Sequence, residues 1–288
     1  MTRLLKFPSA VSLTQGTIFI GGAAEDYDDC RTYGLVITAR CDAVNEKTQT
    51  YNYLPVVHLN DWLHRDGILI LAERAVADIK NGMRNVLRTL GHSPSILDTE
   101  APDRILAIIF SEADKKTLGS RSQFESLCQK WNQLSAVLSS DVAEAPYFLL
   151  TGLDIKNSEQ LIRELVQHRL AGYYFLPSVE LEGEDIGYVV LLREVHHMRR
   201  EITELLLRSG IAQSDFEAMC NIQPSYKGRL NILENDIAMP ISMLNSPNME
   251  HLMQTFSNLF GRIGISNIPN DYVQELCRRQ PSYRKLSK

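Results

Sequence analysis

The chain has 288 residues, enough to bury a sizeable core in one large domain or in two domains of ordinary size. Its 44% hydrophobic and 23% charged residues are typical of a globular protein and exclude a disordered chain. A formal net charge of −5 argues against a protein whose whole surface binds nucleic acid or a membrane.

The cysteines and the apolar runs bear on cellular location. The 5 cysteines are scattered and have no CxxC spacing, which is the usage expected in a reducing compartment. Apolar runs such as 105–110 are far shorter than the roughly 20 residues of a membrane helix. The N-terminus also lacks the apolar stretch of a signal peptide. The sequence therefore predicts a cytoplasmic protein that does not bind a membrane.

Short strand patterns and longer helical patterns follow one another along the chain. Strands are predicted where apolar and β-branched residues are bounded by turn residues, at 17–20, 34–39, 51–58, 173–176 and 187–192. Helices are predicted where apolar residues recur at helical spacing, at 71–90, from 122, 157–169, 195–207, from 214, 247–263 and 271–279. The run 104–110 fits either a buried helix or a strand. Pro55 marks 51–58 as an edge strand or a bulge.

Two segments with similar sequences suggest how these elements are arranged. Residues 51–59 (YNYLPVVHL) and 173–181 (YYFLPSVEL) share aromatic residues, a Leu-Pro pair and a later Val and Leu. We interpret them as two similar strands of one barrel, although chance similarity explains so short a match equally well. The predicted fold is α+β, with a small antiparallel β-barrel interrupted by a helical insertion and followed by a helical C-terminal region. The predicted boundaries are 1–60 plus 171–195 for the barrel, 61–170 for the insertion and 196–288 for the C-terminal region.

The strand-like run 35–39 breaks abruptly into Arg40, Cys41 and Asp42. A positive charge, a thiol and a carboxylate then lie at one strand end, where binding residues tend to collect. Arg40 and Asn45 are accordingly predicted to contribute to a small polar binding site.

The same segment permits a catalytic hypothesis. A thiolate of Cys41 beside Arg40 would have a lowered pKa, and His58 could act as its base if the strands pair in register. Asp42 would complete this candidate catalytic set. The residues favour a plainer interpretation, in which Cys41 is a small buried apolar residue and Asp42 binds backbone N–H groups of a turn.

Other residue clusters predict neither a metal nor a cofactor. His196 and His197 are adjacent, and side chains of adjacent residues on a helix diverge too far to share one metal. The acidic loop 25–29 lacks ligand spacing and is interpreted as solvated. Phosphate-binding glycine motifs are also missing.

Residues 195–220 have helix-turn-helix spacing, which raises the alternative of a DNA-binding regulator. The second predicted helix, at 215–220, carries Asp215 and Glu217 but no basic or amide side chain that could contact base edges. An ordinary helical hairpin is favoured, so direct binding of nucleic acid is not expected.

Two segments resemble a loosely defined group of uncharacterised bacterial proteins. Residues 35–42 (LVITARCD) are similar to the group's strand followed by Cys-Asp, and residues 244–264 (LNSPNMEHLMQTFSNLFGRIG) are similar to its C-terminal helix. At Ala43 the chain departs from the group, which more often has a branched aliphatic residue there. The matching positions are Cys41, Asp42, Ser246, Pro247, Glu250, His251, Gln254 and Arg262.

The resemblance implies a component of a multi-protein bacterial system for anti-phage defence or signalling. Because no catalytic set is evident, the leading hypothesis is a non-enzymatic interaction or sensor component whose partner is another protein of the same system. Binding positions implied on the C-terminal helix are Glu250, His251, Gln254 and Arg262. A thiol-dependent or hydrolytic enzyme centred on Cys41 is the alternative. The stripe 249–263 is either a partner-binding face that includes Phe256 and Phe260 or, as its breadth favours, plain core.

Overall fold

The computed structural model describes residues 4–44, 48–111, 118–139, 155–182 and 187–261. The strands in these residues are β1 (Leu5–Lys6), β2 (Thr17–Ile20), β3 (Tyr33–Val36), β4 (Thr50–His58), β5 (Tyr173–Leu176), β6 (Tyr188–Leu191), β7 (His196–Arg199), β8 (Ile211–Ala212), β9 (Ile237–Ala238) and β10 (Pro240–Leu244). The α-helices are α1 (Arg40–Val44), α2 (Leu59–Trp62), α3 (Ile68–Thr89), α4 (Pro102–Ile109), α5 (Leu118–Ser139), α6 (Ile155–Val166), α7 (Arg200–Arg208), α8 (Gln213–Ile222) and α9 (Asn248–Phe260). The mixture of helices with an antiparallel sheet confirms the predicted α+β class. None of the helices in the described ranges is both long and apolar enough to cross a membrane.

The main sheet is a curled half-barrel, and the predicted closed barrel is wrong. Its strands pair antiparallel in the order β1-β10-β2-β3-β4-β6-β5, with β7 on β4 beside β6. A barrel closes only when its two outer strands pair with each other. Here β1 pairs with β10 and β5 pairs with β6, and no ladder joins β1 to β5 in the described residues. Helix α6 packs beside β5 at that open edge.

Strand β4 is an inner strand, although Pro55 predicted an edge strand or a bulge. On one side β4 pairs with β3, and on the other it pairs first with β7 and then with β6. The β7 ladder ends at Tyr53 and the β6 ladder begins at Val56. Because N–H groups alternate in direction along a strand, the nitrogen of Pro55 points into this gap. The proline therefore removes no ladder hydrogen bond.

The two faces of the sheet are covered by different helices, because side chains alternate along each strand. In β4, Leu54 and Val56 lie in one buried cluster with Leu252 of α9. Val57 faces the other way, into a cluster built with helices α2 to α6. Tyr53 shares that second face but packs with α7 and α8.

The segment 195–207 is not one helix, as its apolar spacing predicted. Residues 196–199 form β7 against the start of β4, and α7 begins only at Arg200. Met198 is buried while His197 and Arg199 are exposed, which is the two-residue period of a strand. Strand β8 then separates α7 from α8, where a helix-turn-helix would have a turn.

The C-terminal part of the chain also contributes to the sheet. Strand β10 lies between β1 and β2, and Ser242 donates a hydrogen bond to the carbonyl of Val179 at 2.5 Å. Helices α2 to α6 occupy the chain between β4 and β5. The three-part division of the chain stays a prediction.

Candidate functional site

A cleft of about 810 Å³ opens on the face of the sheet that helices α2 to α6 cover. Its walls come from the loop between β2 and β3, the π-helical turn Leu63–Gly67 between α2 and α3, the start of β5 and the turn between β6 and β7. The lining residues are Glu25, Asp26, Tyr27, Asp28, Asp29, Arg65, Asp66, Leu69, Gly172, Tyr173, Leu191, Arg193, Glu194, Val195 and His196. Short π-helical turns occur frequently at functional sites, and this one carries Arg65 and Asp66.

The carboxylate of Asp66 accepts hydrogen bonds from two tyrosine hydroxyls. Tyr27 donates to Oδ2 at 2.5 Å and Tyr173 donates to Oδ1 at 2.9 Å. Burial, followed by the nearby charge of Asp66, raises the pKa of both phenols far above the ordinary value. Both hydroxyls therefore stay protonated at neutral pH and act as donors that fix the carboxylate.

Arg65 holds the acidic loop against the π-helical turn. Its guanidinium pairs with the carboxylate of Asp29 and donates to Cys30 Sγ at 3.4 Å. The guanidinium carbon also lies 4.9 Å from the centre of the Tyr27 ring, within cation–π range. Burial and the charge of Asp61 raise the pKa of the Cys30 thiol to about 11, so this thiol stays protonated at neutral pH.

The turn between β6 and β7 supplies a histidine and a carboxylate in direct contact. The Nε2 atom of His196 bonds to Glu194, which also accepts a hydrogen bond from the backbone N–H of Glu25 at 2.7 Å. The imidazole is stacked on the ring of Tyr53, with centres 5.6 Å apart and planes 21° from parallel. These contacts tie both the acidic loop and the ring of His196 to one carboxylate.

Arg193 reaches the cleft across Gly172. A Cβ atom at this glycine would lie 2.7 Å from the Nε atom of Arg193, and the backbone has a φ of +95°. Any other residue would meet both the guanidinium and an unfavourable backbone conformation. Arg193 forms no ion pair with a described residue.

The charge of the cleft is strongly negative. Two guanidinium groups, of Arg65 and Arg193, face the carboxylates of Glu25, Asp26, Asp28, Asp29, Asp66 and Glu194. Within the described residues no group of three or more His, Cys, Asp or Glu side chains is arranged to hold a metal ion. An acidic cavity of this size has the chemistry to bind an organic cation.

The structure does not bring the predicted catalytic residues together. Cys41 and Asp42 lie on the exposed surface of α1, with Cys41 Sγ 3.6 Å from Asp42 Oδ1. Helix α1 follows the end of β3 where Val36 pairs with Tyr53 of β4, and His58 lies five residues further along β4. At about 3.3 Å per residue, His58 is roughly 17 Å from Tyr53 and from that end of the sheet.

His58 has a structural role where it lies. Its Nδ1 atom accepts a hydrogen bond from the N–H of Asn60 at 3.1 Å, which caps the N-terminus of α2. Among the predicted binding residues, Arg40 is exposed on α1 and Asn45 lies outside the described residues.

Cys41 is expected to be the most reactive of the four described cysteines toward a thiol reagent, because it is exposed. Cys128 is buried, and burial raises its pKa, like that of Cys30, to about 11. Timed alkylation followed by peptide mass spectrometry checks this order. Labelling of Cys128 before Cys41 would contradict it, and only loss of function in Cys41→Ser would indicate a catalytic thiol.

The predicted binding residues on α9 lie on its surface. Glu250, His251 and Gln254 are exposed, and Arg262 lies outside the described residues. His251 Nδ1 bonds to the hydroxyl of Tyr174 at 2.9 Å, which fastens α9 to β5.

His168 makes stability dependent on pH. Its ring stacks on Tyr174 at 4.0 Å and lies 5.2 Å from His251, and burial followed by the charge of His251 lowers its pKa. Because the folded state favours neutral His168, its contribution is complete above about pH 6.5 and is lost as pH falls through the lowered pKa.

The expected result is a larger loss of unfolding free energy in the wild type than in His168→Asn when pH is lowered from about 8 to about 5. Asparagine suits this control because His168 has a φ of 55°, a conformation that asparagine tolerates. Urea unfolding at each pH measures the difference. Parallel curves for the two proteins would contradict it.

Sequence reasoning missed the cleft, because its walls come from four distant segments. The sequence of the acidic loop 25–29 indicates a solvated loop, and no motif surrounds Asp66. The comparisons with known proteins supply no further residue: the chain matches no protein-family model, no curated protein and no solved structure.

Proposed function

We propose that this chain is a non-enzymatic sensor component of a multi-protein bacterial system, and that its cleft binds a small organic cation. The excess of carboxylates over guanidinium groups in the cleft carries this proposal. Glu25, Asp26 and Asp28 form no ion pair with a described residue, so their charge is available to a ligand. A cleft lined by one sign of charge concentrates ligands of the opposite sign.

The cleft also indicates where the cationic group binds. Arg193 lies on the side of Tyr173 and repels a positive charge there. The carboxylates of Glu25, Asp26 and Asp28 line the part of the cleft that the loop between β2 and β3 forms. An ammonium or guanidinium group is therefore expected beside the carboxylates of this loop. A volume of about 810 Å³ suits an organic amine better than a bare ion.

The sensor role rests on two further observations. The cleft joins the acidic loop, the π-helical turn and the β6–β7 turn, so a ligand there contacts segments from both sides of the helical region. The resemblance of 35–42 and 244–264 to a bacterial group found in defence or signalling contexts supports a partner within the same system. We therefore propose that another protein of the same system responds to the binding of this ligand.

A thermal-shift panel tests the ligand class. Spermidine, agmatine and arginine are compared with succinate and glutamate at constant ionic strength, using the full chain. The proposal predicts that the midpoint of unfolding rises with at least one of the three cationic compounds and with neither dicarboxylate. A rise with the dicarboxylates alone, or with none of the compounds, would overturn it.

Substitution of Phe260 tests whether this part of α9 contacts the proposed partner. Its ring is 53% exposed and lies 5.2 Å from that of Phe256, which is half-buried against the core. Phe260→Ala is expected to change stability by less than about 1 kcal/mol and to abolish co-purification of a stoichiometric partner. Tagged protein recovered from the native host and analysed by mass spectrometry measures this.

The matched control is Ile222→Ala, which removes an equally apolar side chain that is 86% exposed on α8. This variant is expected to retain the partner. Retention by Phe260→Ala as well would remove this face from the proposed interface, and unfolding of Phe260→Ala would show that the face is core.

A further inference from the structure

A second, smaller cavity of about 420 Å³ lies where β7 runs into α7. Neighbouring side chains of β7 point to opposite faces, so His196 lines the acidic cleft and His197 lines this cavity. Arg199 follows on the same face as His197 and also lines it. The opposite wall comes from Arg229 and the 3₁₀ turn Pro224–Tyr226.

Arg229 is held in place on both its backbone and its side chain. Its Nη1 atom donates to His197 Nδ1 at 3.2 Å, and its Nε atom donates to the carbonyl of Ser225 at 3.3 Å. Its own carbonyl accepts a hydrogen bond from the Tyr53 hydroxyl at 2.6 Å. The guanidinium is therefore preorganised at the cavity wall rather than free in solvent.

The cavity has the opposite charge to the cleft. Neither Arg199 nor Arg229 forms an ion pair with any carboxylate in the part of the chain that the structure describes. Glu201 supplies the single carboxylate among the lining residues. Two guanidinium groups in one cavity without paired carboxylates leave a positive charge that an anion would neutralise.

The remaining groups of the cavity are hydrogen-bond donors. Burial and the charge of Arg229 lower the pKa of His197, so the ring is neutral. Since Nδ1 accepts from Arg229, the ring proton lies on Nε2 as a further donor. Thr50 and Ser225 contribute hydroxyls to the lining. Helix α7 also begins here; its first N–H, of Arg200, donates to the carbonyl of Gln49, and the helix dipole adds positive potential.

We infer that this cavity binds the phosphate group of a small ligand, either free phosphate or a phosphate monoester. Guanidinium groups pair with phosphate oxygens through two parallel hydrogen bonds, and two of them match a dianion. The hydroxyls and the neutral imidazole supply donors for the remaining oxygens. The site is separate from the acidic cleft, and this inference stands whether or not the cleft binds a cation.

Isothermal titration of the full chain with inorganic phosphate and with adenosine 5′-monophosphate tests the inference. Ionic strength is held constant, because charged contacts are screened by salt. Saturable binding of both compounds indicates that phosphate alone suffices, and binding of the nucleotide alone indicates a monoester site; each supports the inference. Binding of neither compound overturns it.

Substitutions of Arg199 and Arg229 test whether the phosphate compounds bind in this cavity. Arg199→Gln and Arg229→Gln are each expected to weaken binding about tenfold or more, since each removes a charge-assisted hydrogen bond. Arg199 is exposed, so its variant is expected to fold even if Arg229→Gln does not. Arg208→Gln, at the other end of α7, removes the same charge and is expected to leave binding unchanged. Equal weakening by Arg199→Gln and Arg208→Gln, or none by Arg199→Gln, overturns the inference.

Discussion

Trp62→Ala is expected to lower the free energy of unfolding by about 3–5 kcal/mol, the usual cost of deleting a large buried aromatic side chain. Trp62 is fully buried in the cluster that joins helices α2 to α6 to the sheet. Its ring packs edge-on against Tyr173, with centres 5.1 Å apart. The cavity left by alanine would therefore remove packing from beneath the acidic cleft as well as from the core.

Trp62→Phe is the matched control, because the indole N–H of Trp62 has no hydrogen-bond partner among the described residues. Phenylalanine loses packing volume but no hydrogen bond, so a smaller loss of about 1–2 kcal/mol is expected. Urea unfolding followed by far-UV circular dichroism measures both variants. A loss below about 1 kcal/mol for Trp62→Ala would contradict the packing described for the helical region.

Asp66→Ala is the second change with a large expected effect. It removes the acceptor for the hydroxyls of Tyr27 and Tyr173, both of which donate to this carboxylate. Hydrogen bonds to a charged group contribute about 1.5–3 kcal/mol each, but Asp66 is half-exposed and water in the cleft replaces part of the loss. We expect a decrease of about 2 kcal/mol in unfolding free energy and loss of cation binding.

Asp66→Asn separates these two effects. The amide keeps one acceptor oxygen and the shape of the side chain while removing the negative charge. A smaller loss of stability with an equally large loss of cation binding is expected. If Asp66→Ala unfolds as the wild type does, the two tyrosine hydrogen bonds contribute nothing to stability and the proposed role of Asp66 as the fixed centre of the cleft fails.

Elements with strong local patterns could be predicted from the sequence. The strand at 173–176 was predicted with the same boundaries, and the helix predicted at 71–90 is observed as Ile68–Thr89. The two similar segments, 51–59 and 173–181, contain β4 and β5, and each of these strands pairs with β6. The spacing of apolar residues is enough to predict such segments, because each of them buries one face.

Features that depend on distant parts of the chain could not be predicted in this way. Whether a sheet closes depends on pairing between its outer strands, which local patterns do not encode. The strand at 196–199 has only Met198 as an apolar inward residue, so the following helix dominated its pattern. The cleft likewise depends on a tyrosine from each of two segments meeting Asp66.

Isothermal titration of the full chain with agmatine and spermidine tests whether the cleft binds a cation, with Asp66→Asn as the comparison and Arg199→Gln as the control outside the cleft. We expect saturable binding of at least one of these cations to the wild type. We also expect at least about tenfold weaker binding in Asp66→Asn and unchanged binding in Arg199→Gln. No binding to the wild type, or equal binding to the wild type and Asp66→Asn, would contradict a cation site in the cleft.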